Sequence, residues 1–131
     1  MANTFQLEII TPTQIFSEGQ VNYVRAESPD GQFGIMSHHT AATVALGIGE
    51  VKVVKNGKEY FYATTGGFAD IQPESVLLLL ETAELVSDID VDRAKAAKKR
   101  AQDRLNDKNM NKARSRTAIA KAKNRLKVSH R

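Results

Sequence analysis

From Asp88 to the last residue the chain has no glycine, no proline and no phenylalanine, tyrosine or tryptophan, although all 8 Gly, all 3 Pro, 5 Phe and 3 Tyr precede that point. Glycine and proline punctuate turns, and aromatic residues favour strands. Their loss leaves a tail whose Ala, Lys, Arg and Leu suit only helix. The 131 residues therefore divide into a module over 1–87 and a second over 88–131. Each is small enough that its core must be modest.

Charge divides at the same place. Residues 1–87 hold four basic side chains (Arg25, Lys52, Lys55 and Lys58) and ten acidic ones, a net −6. Residues 88–131 hold fifteen basic and five acidic, a net +10. Halves of opposite sign suit different partners, and the basic half calls for something acidic. With no Cys, disulfide scaffolds and cysteine zinc sites are excluded. The first ten residues show no basic segment followed by an apolar one, so no secretory signal is read there. The longest apolar run, Val76 to Leu80, falls far short of the roughly 20 residues of a membrane span, so a soluble chain is expected.

In the first module, short alternating runs are separated by turn signals. "FQLEII" puts Phe5, Leu7 and Ile9 on one face, and Thr11-Pro12-Thr13 ends it. "QVNYVRAE" reads as one strand with Val21, Tyr23 and Arg25 opposite Asn22, Val24 and Ala26. Ser28-Pro29-Asp30-Gly31 is a turn, and "EVKVVKNGKEYFYAT" is a hairpin with Asn56-Gly57 at its tip, the pair favoured in type I′ turns. "GGFADI" and "SVLLLLETAE" supply two more strands around Gln72-Pro73-Glu74. Strands at this spacing with no helix between them predict a β-sandwich or flattened barrel.

In the second module, Ser87 or Asp88 is the expected helix cap, with Asp90 and Asp92 placing negative charge in the first turn. Ala94, Ala97, Ala101 and Leu105 form one apolar stripe, and Asn106 to Asn111 form a connector. Ala118, Ala122 and Leu126, with Ile119 beside them, mark a second helix. The fold class is thus α+β, an N-terminal sandwich followed by an antiparallel α-helical hairpin. An alanine methyl contributes under about 1 kcal/mol on burial, against roughly 1.5–3 for Leu or Ile. Such a seam cannot hold two helices by itself, and the hairpin needs the sandwich, another subunit or a ligand.

No catalytic set is legible. There is no Ser/His/Asp arrangement and no carboxylate pair placed for acid–base work, so the chain is not an enzyme by itself. His38-His39 lacks a Cys or adjacent carboxylate to complete a metal site. Gly66-Gly67 lacks the phosphate-loop pattern and reads as close backbone packing at a strand start. A nucleic-acid-binding protein with a basic helical tail is the alternative class. Against it, the β module is acidic and its few aromatics occupy core-like alternating positions, not a basic stacking face.

The combination of "DGQFGI" with His39 after it, "GGFADIQPESV" and "IDVDRAKAAKKRA", in this order along the whole chain, resembles the ε subunits of bacterial F-type ATP synthases. One loop departs from that pattern. Where the family usually has Pro-Gly-His-x-Pro, this chain reads Ser37-His38-His39-Thr40-Ala41, with His38 in the place of Gly. The resemblance implies a non-catalytic central-stalk subunit of a proton-driven or sodium-driven rotary ATP synthase. It would couple the c-ring to the γ subunit, and its mobile helices would inhibit ATP hydrolysis. Its partners would be γ, the c-ring and the catalytic β subunits, with no nucleic acid. Its place would be peripheral, on the cytoplasmic side of the bacterial plasma membrane.

The resemblance also implies sites. Asp30, Gly31 and Gln32, with His38 and His39, would face the c-ring. Arg114, Arg116, Lys121, Lys123, Arg125 and Lys127 would meet acidic loops of the catalytic subunits when the hairpin extends. No cofactor is required, but ATP is implied as a regulatory ligand of the folded-back hairpin. Its site would comprise Glu84, Asp90, Arg93, Ala94 and Arg100, then Lys121 and Arg125 on the second helix. Lys121 stands where related chains carry Arg, so a planar fork becomes a point charge.

Overall fold

Phe5, Leu7 and Ile9 all point inward from strand β1 (Phe5–Ile10), as their alternation requires, in a computed structural model that describes residues 3–107 and 111–131. β1 lies between β2 (Ile15–Val21) and β9 (Ser75–Leu80), and β8 (Gly67–Gln72) and β5 (Ala42–Leu46) complete a five-stranded first sheet. The second sheet runs β10 (Ala83–Leu85), β7 (Lys58–Thr64), β6 (Gly49–Lys55), β3 (Tyr23–Ser28) and β4 (Gly31–Ile35). Every pairing is antiparallel except β1 with β9. The inner faces meet in a core that includes Phe5, Leu7, Ile9, Val21, Val24, Val51, Val53 and Leu78, each almost wholly buried. At roughly 1.5–3 kcal/mol for each large apolar side chain, this core dominates the stability of the module.

The β-sandwich expectation holds, with local corrections. "QVNYVRAE" is two strands broken at Asn22, which lets Val21 and Val24 both face the core despite their opposite parity. "SVLLLLETAE" is likewise two strands, because Glu81 and Thr82 carry the chain from one sheet to the other. "GQFGI" is a strand that the sequence reading did not predict, and Ile15–Gly19 of β2 and all of β5 had no counterpart there. In β2 a bulge opposite Leu7/Glu8 absorbs one residue, with Gly19 at φ +74°. The bulge turns Glu18 toward Tyr62, whose hydroxyl donates to the Glu18 carboxylate across the sandwich. Burial, then the carboxylate, pushes the Tyr62 phenol well above its ordinary pKa.

The Asn56-Gly57 turn has both residues at positive φ, +52° and +76°, as a type I′ turn demands. A Cβ on Gly67 would lie 2.0 Å from the Leu79 carbonyl oxygen, so close backbone packing accounts for that glycine.

After a short 3-10 turn over Val86–Asp88 come helix α1 (Val91–Leu105) and helix α2 (Lys112–Ser129). The cap of α1 is Asp90, not Ser87 or Asp88, which belong to the preceding turn. Its carboxylate accepts from the Arg93 N–H at 3.0 Å. The expected connector includes Lys108, Asn109 and Met110, which lie outside the described residues. Ala94 and Ala101 form the buried part of the α1 stripe. The α2 side is richer than an alanine seam, burying Ser115, Ile119, Ala122 and Val128. Val128 packs with Ala63 and Ile89 beside Phe61 and Val86, which seats the end of α2 on the outer face of the second sheet.

Candidate functional site

The seat of α2 on the second sheet combines a small apolar contact with polar ties. Asn124 donates from Nδ2 to the Gly49 carbonyl at 2.7 Å, using an acceptor near the start of β6. Arg125 pairs with Glu84 of β10, its Nε 2.6 Å from one carboxylate oxygen and its Nη2 donating to the other at 3.0 Å. Lys121 reaches Glu81 at 3.7 Å. Arg131 donates from Nε and Nη2 to Glu50 at 2.8 and 2.9 Å, and its guanidinium lies 5.0 Å from the centre of the Phe61 ring. Glu50 is buried and also accepts from Arg25 of β3 at 2.7 Å.

Three residues of the implied nucleotide site converge. Glu84, Lys121 and Arg125 line one open groove of about 420 Å³, together with Thr11, Gln14 and Thr65. Asp90, Arg93, Ala94 and Arg100 do not line it. Asp90 is occupied as the cap of α1, Ala94 is buried in the helix seam, and Arg93 and Arg100 are exposed on α1. Of the six cations expected to meet acidic partners, Lys121 and Arg125 are tied to the sandwich, while Arg114, Arg116, Lys123 and Lys127 are exposed.

The two segments expected to face a ring lie at opposite ends of β4. Asp30, Gly31 and Gln32 form the β3–β4 turn, where the Ser28 hydroxyl donates to the Gly31 carbonyl at 2.9 Å and accepts from the Asp30 N–H at 3.2 Å. His38 and His39 follow the other end of β4, roughly 15 Å along the strand direction. His38 sits at φ +60°, a left-handed conformation that glycine adopts without cost. His39 packs edge-on against Phe5, with ring centres 5.2 Å apart, and its Nδ1 is held by the Met36 carbonyl oxygen.

Two features escaped sequence reading. One is the Arg25–Glu50–Arg131 cluster. An acidic residue beside the buried Val51 reads as an ordinary outward-facing strand residue until a helix is known to cover that face. The other is a row of apolar residues across the uncovered outer face of the first sheet. Ile15, Ile10, Leu79, Phe68 and Ala45 are consecutive partners in the strand register. Ile15, Phe68 and Leu79 are 69%, 55% and 43% exposed, more than scattered surface apolar residues require.

Comparison with known proteins agrees over the whole chain. Residues 4–86 match the family model for the ATP synthase delta/epsilon chain β-sandwich domain, and 87–130 match that for its long α-helix domain. The ATP synthase epsilon chain of Desulforamulus reducens is 38% identical, over 98% of this chain and 99% of that one. The corresponding chain of Staphylococcus haemolyticus is 41% identical over 97% of each. In fold, the chain is similar to one in the Euglena gracilis mitochondrial ATP synthase OSCP/F1/c-ring structure, with a TM-score of 0.85 at 18% identity, covering all of this chain and 84% of that one. A second likeness is to a chain in the Tetrahymena thermophila mitochondrial ATP synthase central stalk/c-ring structure, with a TM-score of 0.65 at 13% identity, over 95% and 96%. With both modules matched in order and relatives near 40% identity end to end, the chain belongs to the ATP synthase delta/epsilon chain family.

Proposed function

We propose that this chain is a non-catalytic subunit of the central stalk of a rotary ATP synthase driven by protons or sodium ions. It couples a c-ring to γ through its sandwich and restrains ATP hydrolysis through its hairpin. The observation that carries the regulatory half is the seat of α2, one small apolar cluster surrounded by ion pairs and two contacts of the Asn124 amide. The partly exposed Lys121–Glu81 and Arg125–Glu84 pairs contribute only about 0–1 kcal/mol each, and Glu50 keeps Arg25 when Arg131 leaves, so such a seat suits an element that leaves and returns. When α2 leaves, Lys121 and Arg125 join Arg114, Arg116, Lys123 and Lys127 as free cations for acidic loops of the catalytic β subunits.

The sandwich supplies the fixed attachment. Its uncovered row of Ile15, Leu79 and Phe68 is the surface for γ, because a buried stalk contact removes this apolar area from water. The Asp30–Gln32 turn and the His38–His39 loop are the contacts to the ring. ATP acts on the folded-back hairpin as a regulatory ligand in the groove of Glu84, Lys121 and Arg125, with Asp90, Arg93, Ala94 and Arg100 contributing from α1. Its phosphates would take over Arg125 from Glu84. The assembly places the chain peripherally, on the cytoplasmic face of the bacterial plasma membrane.

ATP hydrolysis by the catalytic head tests this, with the full chain and with a version ending after Ser87. Truncation leaves the sandwich core intact, because every residue of that core precedes Val86. Higher hydrolysis with the shorter form, at equal binding to the head, supports the inhibitory role. Equal hydrolysis removes that role and leaves coupling, and failure of both forms to bind ends the proposal.

A further inference from the structure

Gly49 and Glu50, adjacent at the start of β6, receive α2 twice. The Asn124 amide donates to the Gly49 carbonyl at 2.7 Å, and Arg131 holds the Glu50 carboxylate at 2.8 and 2.9 Å. What fixes these two residues lies one strand away. β3 and β6 run in register from Tyr23 opposite Val54 to Arg25 opposite Lys52, which stops short of Glu50. Beyond that point a side chain takes over: the Glu50 N–H donates to Oε2 of Glu27 at 2.5 Å, a charge-assisted bond. The same carboxylate lies against the bare Cα of Gly49, where an added Cβ would meet Oε2 at 2.0 Å. The Glu27 carbonyl also accepts from the Gly47 N–H at 3.0 Å, so one residue holds the whole entry to β6.

Glu27 faces the β3–β4 turn as well. Gln32 is its register partner and donates from Nε2 to its other carboxylate oxygen, Oε1, at 3.3 Å. A single carboxylate therefore touches both the turn at Asp30–Gln32 and the landing place of α2.

We propose that Glu27 is a positioning residue that couples the β3–β4 turn to the docking of the hairpin. A contact that draws Gln32 and Glu27 outward at the turn frees Gly49 and Glu50 to shift, and α2 loosens. The two-state element is the hairpin, docked or undocked, and linkage makes the effect reciprocal, so docking of α2 also holds the turn. The coupling belongs to this chain alone and does not depend on the turn meeting a c-ring.

Amide hydrogen exchange of the full chain tests it. Glu27→Ala should speed exchange in the last turns of α2 roughly tenfold, while the core amides of Val53 and Leu78 keep their rates. A merely structural role would accelerate both sets together. Glu27→Gln keeps an oxygen for the Glu50 N–H and should restore most of the protection. Gly49 is not at positive φ, so Gly49→Ala only pushes the carboxylate aside. That variant should loosen α2 alone, yet add nothing once Glu27 is Ala. For the turn, Gln32→Ala should speed the same α2 amides about twofold, as befits an exposed hydrogen bond. Ending the chain after Ser87 should shift the Gly31 and Gln32 amide resonances, and Glu27→Ala should abolish that shift. Unchanged α2 exchange in Glu27→Ala, equal acceleration of the core amides, or additive losses with Gly49→Ala would overturn the positioning role. Turn resonances indifferent to the truncation would overturn the coupling.

Discussion

Glu50 and Arg131, 81 positions apart, are joined by two hydrogen bonds of 2.8 and 2.9 Å, and the same carboxylate is held from the other side by Arg25. The cluster is asymmetric in use. Arg25 and Glu50 belong to adjacent strands of one sheet, whereas Arg131 arrives with the end of α2. When the helix departs, Glu50 keeps Arg25, so the sheet is not left with a bare buried charge. Arg131→Ala should therefore speed hydrogen exchange in the last turns of α2 while leaving the strand amides unchanged. Glu50→Ala should cost the sandwich about 2–3 kcal/mol in urea unfolding, below the full buried-pair figure because Arg25 retains some solvent access.

Val128 is the apolar anchor of the seat. Val128→Ala removes two buried carbon groups, worth about 1.5 kcal/mol in transfer free energy. The loss should fall on docking rather than on the sandwich. Limited proteolysis of the hairpin should become roughly tenfold faster, with the sandwich melting temperature unchanged. Val53→Ala, in the main core, should instead lower the melting temperature of the whole chain.

Tyr62 links stability to alkaline pH. Its folded-state pKa is raised, first by burial and then by Glu18, above the value near 10 of the unfolded chain. A raised folded pKa contributes stability that is complete below about pH 10 and is lost as pH rises toward the folded pKa. Tyr62→Phe should cost about 1 kcal/mol at pH 7, because Glu18 loses its donor. The gap to the wild type should then narrow above pH 10. Urea titrations of both proteins from pH 8 to 11 measure it.

His38 adopts the left-handed conformation at φ +60° with a side chain attached. Gly there relieves about 1 kcal/mol of strain and adds a somewhat smaller unfolded-state entropy. His38→Gly should be neutral to slightly stabilising, and His38→Val should destabilise by about 1–2 kcal/mol, because a β-branched residue tolerates positive φ worst. Thermal melts of the two variants check the sign.

The apolar row on the first sheet has a separate prediction. Phe68→Asp should weaken binding to γ at least tenfold, measured by calorimetry. Unfolding free energy should stay within about 1 kcal/mol, because Phe68 is more than half exposed and pairs with Leu79 only on the outer face.

What could be read in advance followed from periodicity and punctuation. Phe5-Leu7-Ile9, the Asn56-Gly57 turn and the alanine stripe of α1 are local patterns, and local patterns survive folding. Asn22 was misread because a bend resets parity without a Gly or Pro to mark it. Glu18 and Glu50 were invisible as partners because their contacts, to Tyr62 and Arg131, span 44 and 81 positions. Of the implied nucleotide site, residues from three elements were named together, yet only Glu84, Lys121 and Arg125 share a groove. Motif spacing fixes which helix a residue rides on but not which way its neighbours have turned.

The parallel pairing of β1 with β9 has a consequence for synthesis. The strand made first remains without one of its two neighbours until residues 75–80 exist, and sequentially distant pairing of this kind is slow. A nascent chain thus exposes the edge of β1 for most of its translation, a standing invitation to mispair with other chains. The basic helices follow β9 in the chain, so every strand of the sheet that α2 lands on is synthesised before α2 itself.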